Sequence, residues 1–509
     1  MIRKAEENKR NTIKNTLKLI NTMDKNLSKL APAAVWKNFE GLTKCPRPSH
    51  NEEAARNYII EFVKGLGLEY TMDEATNILV RKPATPGMEN RKTIVLQAHV
   101  DMVPQKNSDK EFNFDTDAIE AYIDGDWVTA DGTTLGADNG IGIAAMMAIL
   151  EDNNLKHGPI EALFTATEET GMDGAFGLKA GMLKGEILLN LDSETEGELY
   201  VGCAGGLDFN ATMRYGTGRI IKSDFSGYRL EIKGLKGGHS GMEIILQRAN
   251  SNKLLCRFLK TFTDKFGILL CDIDGGGLRN AIPREAFATV AVLKQYEKKF
   301  LAAVKRYEKL YQTEYKGVED SISFKAIPVK CPSKCIDIFD TQDLIDAVVG
   351  LPNGIAKMST TMPGLVQTST NLARVVSEKG KFTIMCLLRS SVRSEKEELA
   401  QQMKTICEMA GASVKLSGAY DGWNPNPESP ILHTMKEGYK ALYGKEPAVM
   451  AIHAGLECGI IGGVYPKMDM ISCGPTICYP HSPDEKVNIA SVEKFYNYLC
   501  YTLEHAPEK

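Results

Sequence analysis

No apolar run in the chain approaches the roughly 20 residues that a helix needs to span a bilayer. Charge of neither sign dominates: 61 Lys and Arg stand against 65 Asp and Glu, a formal net charge of −4. Neither a nucleic acid nor an anionic membrane surface is therefore an expected partner. The first 25 residues carry Lys and Arg without an apolar core segment, so residues 1–28 read as a polar, Asn/Lys-rich extension and not as a secretory signal. A G-x-x-x-x-G-K-[ST] phosphate loop is missing, which sets aside the commonest nucleotide-binding design. The G-x-S-x-G nucleophile elbow is missing too, because in KGGHSGME Met242 stands where the last glycine belongs. Nor do the 12 cysteines form a dense framework. Several lie inside apolar stretches, such as Cys271 in GILLCDID and Cys386 in TIMCLLR, which suits reduced thiols of a cytoplasmic protein. Cys331 and Cys335, in CPSKC, form a zinc half-site only if a second pair joins them, and none lies near in sequence.

What remains is a soluble, globular composition, 43% hydrophobic and 25% charged, over 509 residues, enough for two or three lobes. From about residue 32 to 205, short apolar runs (TIVLQAHV, IEALFTAT, EILLNLD) alternate with helix-like stretches (EEAARNYIIEFVKGLG, GIGIAAMMAILEDNN). That alternation predicts an α/β domain over 29–206, its sheet covered by helices. From 207 to 420 the order helix, two strands, helix, strand occurs twice, which predicts an inserted two-lobed α+β domain. DGWNPNPESP is a return linker, and residues 421–509 complete the first domain.

The polar residues of interest stand at the C-terminal ends of the apolar runs, the edge where open α/β sheets bind ligands. His99 and Asp101 follow TIVLQA two residues apart, a spacing that puts both on one face of a strand. A carboxylate beside a metal-bound imidazole commonly fixes its tautomer. Asp138 sits in LGADNGIGIA, Glu168 and Glu169 in ATEETGMDGA, Asp192 in LNLDSE, and His481 in CYPHSPDE. Each alone has an ordinary explanation: a core histidine, an N-cap, a solvated acidic loop. Together, two histidines and several carboxylates at one kind of topological position suit zinc held by nitrogen and oxygen.

LQAHVDMV, LGADNGIGIA, ATEETGMDGA, LNLDSE, HAGLECG and PHSPDE occur in the order found in one family. From about Leu30 to the C-terminus the chain resembles the aminoacyl-histidine dipeptidase (Xaa-His dipeptidase, peptidase D) branch of the di-zinc aminoacylase and carboxypeptidase-G-like metallopeptidases. The resemblance implies two Zn2+ ions, for which Co2+ or Mn2+ can substitute: His99, Asp138 and Asp192 on one, Asp138, Glu169 and His481 on the other. It makes Glu168 the general base and Asp101 the partner of His99. It makes the insertion a lid whose GLKGGHSG segment brings His239 to the scissile carbonyl, with Asn280, Asn371 and Arg389 holding the substrate's backbone or carboxylate. Glu457, in IHAGLECGII, is an amine-binding candidate, and His453 beside it has no assigned step. The expected reaction is hydrolysis of dipeptides with a free N-terminus, including Xaa-His dipeptides. Deacylation of acyl amino acids and tripeptide cleavage stay open alternatives. A doubled lobe can mimic a partner's lid, which leaves both monomer and homodimer open.

Overall fold

The computed structural model describes residues 24–509, apart from the side chain of Asp264. The expected extension therefore lies outside the described residues up to position 23. The chain divides into two compact units. One comprises the chain up to Val201 with Asn426–Met450 and Ile460–Lys509; the other comprises Gly202–Pro425 with Ala451–Gly459. No helix of the described residues is long and apolar enough to cross a membrane.

The first unit is built on an eight-stranded mixed sheet. Its middle is parallel: Ile160–Thr165, Ile94–His99, Ile187–Asn190 and Asp469–Ser472 lie side by side. Ile78–Lys82 and Glu69–Met72 extend one side antiparallel. Every residue of Ile94–His99 and of Ile160–Thr165 is buried, as expected of parallel strands covered on both faces. The helix Ala137–Glu151 is apolar on all sides, and Ile141 through Leu150 are all buried. It is a core element, not an amphipathic surface one, so its first turn is held by the interior. A four-stranded sheet sets Ile477–Cys478 and Lys486–Asn488 beside Trp127–Ala130 and Ala121–Asp124. The loop between its first two strands carries His481 and Glu485.

In the second unit the recurrence read from element order is a duplicated βαββαβ motif. One half is Phe225–Lys233, Ser251–Phe266, Leu269–Gly276, Ala286–Leu293, Glu297–Glu314 and Ser323–Val329. The other is Gly205–Arg214, Ile338–Gly350, Val366–Glu378, Lys381–Ser390, Arg393–Met409 and Ser413–Tyr420. Numbered within each half, the strands run 4-1-3-2 and then 2-3-1-4 across one nine-stranded sheet, with Gly354–Met358 added on Val366–Glu378. The halves join where Asp274–Gly276 pairs antiparallel with Arg374–Val376. They share one core, in which Phe258, Phe300 and Phe324 of one half meet Leu344 and Met403 of the other. Local signals set the helix ends: the Asn250 side chain accepts from the N–H groups of Asn252 and Lys253, and Gly267 closes the same helix at φ +56°.

Candidate metal centre

The five expected ligands all belong to the first unit, and the fold brings them together. His99 is the last residue of its strand, and Asp192 lies two residues beyond Asn190, the end of the neighbouring strand. Glu168 and Glu169 begin a single helical turn after Thr167 reverses the chain at φ +53°, so adjacent carboxylates do reach one site. His99 Nε2 lies 3.1 Å from Asp138 Oδ1 and 3.2 Å from Asp192 Oδ1. His481 Nε2 lies 3.2 Å from Asp138 Oδ2 and 3.0 Å from Glu169 Oε2. The two oxygens of Asp138 therefore face two different imidazoles. Three groups of donors, His99–Asp138–Asp192, Asp138–Glu169–His481 and His99–Glu168–Glu169, each converge within 4.8 Å. None includes a cysteine, and all 12 cysteines are free thiols.

The chemistry of this set fits divalent metal. Imidazole nitrogen and carboxylate oxygen are the donors that zinc and its neighbours accept. Glu169 Oε1 is buried with no hydrogen-bond partner, an orphaned acceptor that a cation would satisfy. Without metal, the hydrogen bonds that its ring donates to Asp138 and Glu169 lift the His481 imidazole to about 11. Burial opposes a charge on His99, yet Asp192, Asp101 and Asp138 around it hold its pKa well above the ordinary value. Burial raises the carboxyls of Glu169 and Asp192, and pushes Glu194, beside Asp138 and Asp192, up to about 8. Such crowding of like charges is what cations relieve.

Asp101 differs in one respect from the expectation that it shares a strand with His99. The strand ends at His99, and Asp101 comes under the ring from beyond it, its Oδ1 3.3 Å from His99 Nδ1. The same carboxylate accepts from Ser49 Oγ at 2.8 Å, from the Glu168 N–H at 2.9 Å and from the Glu169 N–H at 3.2 Å. Burial raises its pKa, but the His99 hydrogen bond and charge, with the Glu168 N–H, bring it down to about 2.

Sequence reasoning missed the groups that hold Asp138. Arg47 is 2% exposed and donates from Nη1 to the carbonyls of Val100 and Asp101, at 2.9 Å each, and from Nη2 to the Gly136 carbonyl. Gly136 is at φ +71°, and a Cβ there would lie 2.5 Å from Arg47 Nη2, so glycine is required on both counts. Glu485 accepts the N–H groups of Leu135, Gly136, Ala137 and Asp138. Asn139 donates to Asp192 Oδ1 at 2.6 Å. The only local hint of these roles is the richness of PRPSH and HSPDE in polar residues.

The remaining expected residues gather in the second unit. His239 Nδ1 accepts the N–H groups of Gly241 at 3.3 Å and Met242 at 3.1 Å, so the ring proton of the neutral imidazole is on Nε2. Burial and the nearby Arg389 lower its pKa. Arg389 is 5% exposed, hydrogen-bonded to Tyr420, and its Nε has no partner. A Cβ on Gly241 would sit 3.1 Å from both Arg389 Nε and His239 Cε1, which puts both side chains against one glycine. Asn371 is 1% exposed and donates to the carbonyls of Arg279 and Ala281, fixing the turn that carries exposed Asn280 and bridges to His239. His453 joins this group: its Nε2 is 2.7 Å from Ser369 Oγ. Burial and Arg389 lower its pKa to about 3. Glu457 is fully buried at the start of Glu457–Val464.

Comparison with known proteins finds peptidases among the relatives of the chain. Cytosol non-specific dipeptidase of Escherichia coli is 44% identical over 483 residues, spanning 95% of this chain and 99% of that protein. Aminoacylhistidine dipeptidase from Vibrio alginolyticus, a solved structure, matches with a TM-score of 0.90 at 46% identity, over 95% of this chain and 99% of that one. Aminopeptidase PepT from Bacillus cereus shares the fold, with a TM-score of 0.56 at 16% identity over 94% of this chain and 99% of that one. The model of Peptidase family M20/M25/M40 matches residues 95–505, and the chain, a metallopeptidase, belongs to that family.

Proposed function

We propose that the chain hydrolyses dipeptides with a free N-terminus, Xaa-His dipeptides among them, using water activated between two metal ions, zinc in the cell. The observation that carries this reading is the placement of Asp138, whose two carboxylate oxygens face His99 and His481 separately at 3.1 and 3.2 Å. A carboxylate so placed suits a bridge between two ions, with Asp192 completing one set and Glu169 the other. When bound, the ions supply Lewis acidity and a nucleophile at neutral pH. Glu168, beside both donor sets, takes the proton of the attacking water and passes it to the leaving amine. Asp101 keeps the His99 proton on Nδ1, so that Nε2 is left to ligate.

Residues 207–420 act as a lid in this reading. Its neutral His239 offers an Nε2–H to the developing oxyanion, and buried Arg389, with an uncommitted Nε, takes the substrate carboxylate. Asn280, with Asn371 behind it, orders the substrate backbone, and Glu457 takes the free amine. The name of the Escherichia coli relative and the 12 free thiols support a cytoplasmic location.

The test is hydrolysis by chelator-stripped protein with zinc, cobalt or manganese added back. The panel holds β-alanyl-histidine, Gly-His, Leu-Gly, a tripeptide, an N-acetylated dipeptide and an acyl amino acid. Metal-dependent cleavage confined to free dipeptides is the expected result. Cleavage of the blocked substrates would move the function to deacylation, and cleavage of the tripeptide alone would make the chain a tripeptidase.

A further inference from the structure

The mechanism leaves a buried carboxylate beside the Asp138 segment without a task. Glu485 is 2% exposed and four residues past His481, yet it neither faces the donor sets nor reaches solvent. Its Oε2 accepts the N–H groups of Leu135 at 2.8 Å and Gly136 at 3.0 Å, and its Oε1 those of Ala137 at 2.8 Å and Asp138 at 3.3 Å. Four consecutive backbone donors thus converge on a single side chain. From the other side Arg47 donates to the Gly136 carbonyl and to those of Val100 and Asp101. The two side chains also attract each other as charges.

Within the helical run Ala137–Glu151, Asp138 has a non-helical backbone, at φ −82° and ψ 108°. That conformation gives up the regular helical pattern at the residue whose two oxygens face both imidazoles. An irregular, buried peptide segment needs outside partners for its polar groups. Glu485 supplies acceptors for its N–H groups, and Arg47 a donor for its carbonyl.

We infer that Glu485 and Arg47 are positioning residues for the metal centre, clamping the 135–138 segment so that Asp138 is preset to bridge. The inference rests on the reading of Asp138 as a bridging ligand, and it goes beyond that reading in naming what fixes it. Groups that orient metal ligands from behind typically change affinity 10- to 100-fold when removed. Glu485→Gln keeps the shape but turns an NH2 toward backbone N–H groups, donor against donor. Arg47→Lys keeps the charge but loses the fork that holds three carbonyls.

The experiment binds Co2+ to the metal-free full-length chain and to each variant, reading affinity by chelator competition and geometry by the visible cobalt spectrum. Circular dichroism of the metal-free proteins reports folding separately. The expected result is a 10- to 100-fold loss of cobalt affinity with an altered spectrum in a variant that still folds. Parental affinity and spectrum in either folded variant would overturn the inference. If Glu485→Gln fails to fold, Arg47→Lys decides alone. Asp138→Asn separates the two layers. Loss of cobalt there, with parental binding in the positioning variants, overturns only the clamp. Parental binding in Asp138→Asn overturns the bridging reading itself.

Discussion

Asp101 and Glu168 are joined through the backbone: the Glu168 N–H donates to Asp101 Oδ1 at 2.9 Å, the same oxygen that lies 3.3 Å from His99 Nδ1. One carboxylate oxygen thus fixes both the imidazole of His99, a proposed metal ligand, and the start of the turn that carries Glu168, the proposed proton acceptor. Asp101→Asn retains the shape but presents a neutral amide to His99. We expect metal affinity and kcat both to fall about 10- to 100-fold. Titration with a chromogenic chelator alongside steady-state kinetics reads both quantities, and a change in kcat alone would confine Asp101 to the Glu168 turn.

Glu168→Gln removes the proposed proton acceptor while leaving both donor sets that share Asp138 intact. We expect kcat to fall about 10²- to 10⁴-fold with metal content unchanged by elemental analysis. Retained activity would transfer the base role to another carboxylate, and Glu194 would be the first to examine.

Proton linkage follows from the imidazoles. In the metal-free chain the hydrogen bonds that His481 donates to Asp138 and Glu169 raise it to about 11, and Asp192 and its neighbours raise His99 well above its ordinary value. These shifts favour the cationic ring, and a ligand imidazole is neutral, so metal uptake is expected to release protons and to tighten as pH rises. Calorimetry in buffers of different ionisation enthalpy measures that release. For folding the sign is opposite. A pKa raised from about 6.5 in the unfolded chain gives a stabilisation that is complete below that value and is lost as pH climbs through about 11. The melting temperature of the metal-free protein therefore declines on the alkaline side, and its chelated form is inactive throughout.

His239→Ala removes a neutral donor whose tautomer two backbone N–H groups have already set. The expected cost is about 10²- to 10³-fold in kcat with little change in KM, the pattern of a group acting in the transition state. Cobalt affinity of the first unit stays at the parental value. A rise in KM at constant kcat would instead make His239 a ground-state contact.

Phe258 is fully buried in the second unit, with ring centroids 4.9 Å from both Phe262 and Phe324. Phe258→Ala should destabilise that unit by about 3–5 kcal/mol, read by denaturant melts, with the metal donors untouched.

His99, Glu169 and Asp192 were legible because each follows an apolar run, and a parallel sheet gathers those ends at one edge. Asp138 was legible from LGADNGIGIA as a residue entering a helix, but its non-helical backbone was not, because no local rule places an Arg 89 residues away in sequence on the carbonyl of Gly136. Arg47 and Glu485 show the same limit, since their partners are set by tertiary closure alone. In the second unit, helix–strand order revealed a repeat. The strand Gly205–Arg214 could not be given to its half from order alone, because it precedes the other half in the chain. Asn371 read as a substrate group; its amide nitrogen is spent on the turn around Asn280, which no local signal shows, while its Oδ1 has no partner.

The duplicated sheet has a consequence for self-association. Two separate halves would expose four strand edges to intermolecular pairing, whereas joining them back to back at Asp274–Gly276 leaves Ser323–Val329 and Ser413–Tyr420 at the ends. The first of these outer strands carries Pro328 opposite Tyr228, and proline has no N–H with which to recruit another strand. A strand added at that end would find no backbone donor at position 328, and at the other end Gly418, at φ +58°, departs from extended backbone within Ser413–Tyr420.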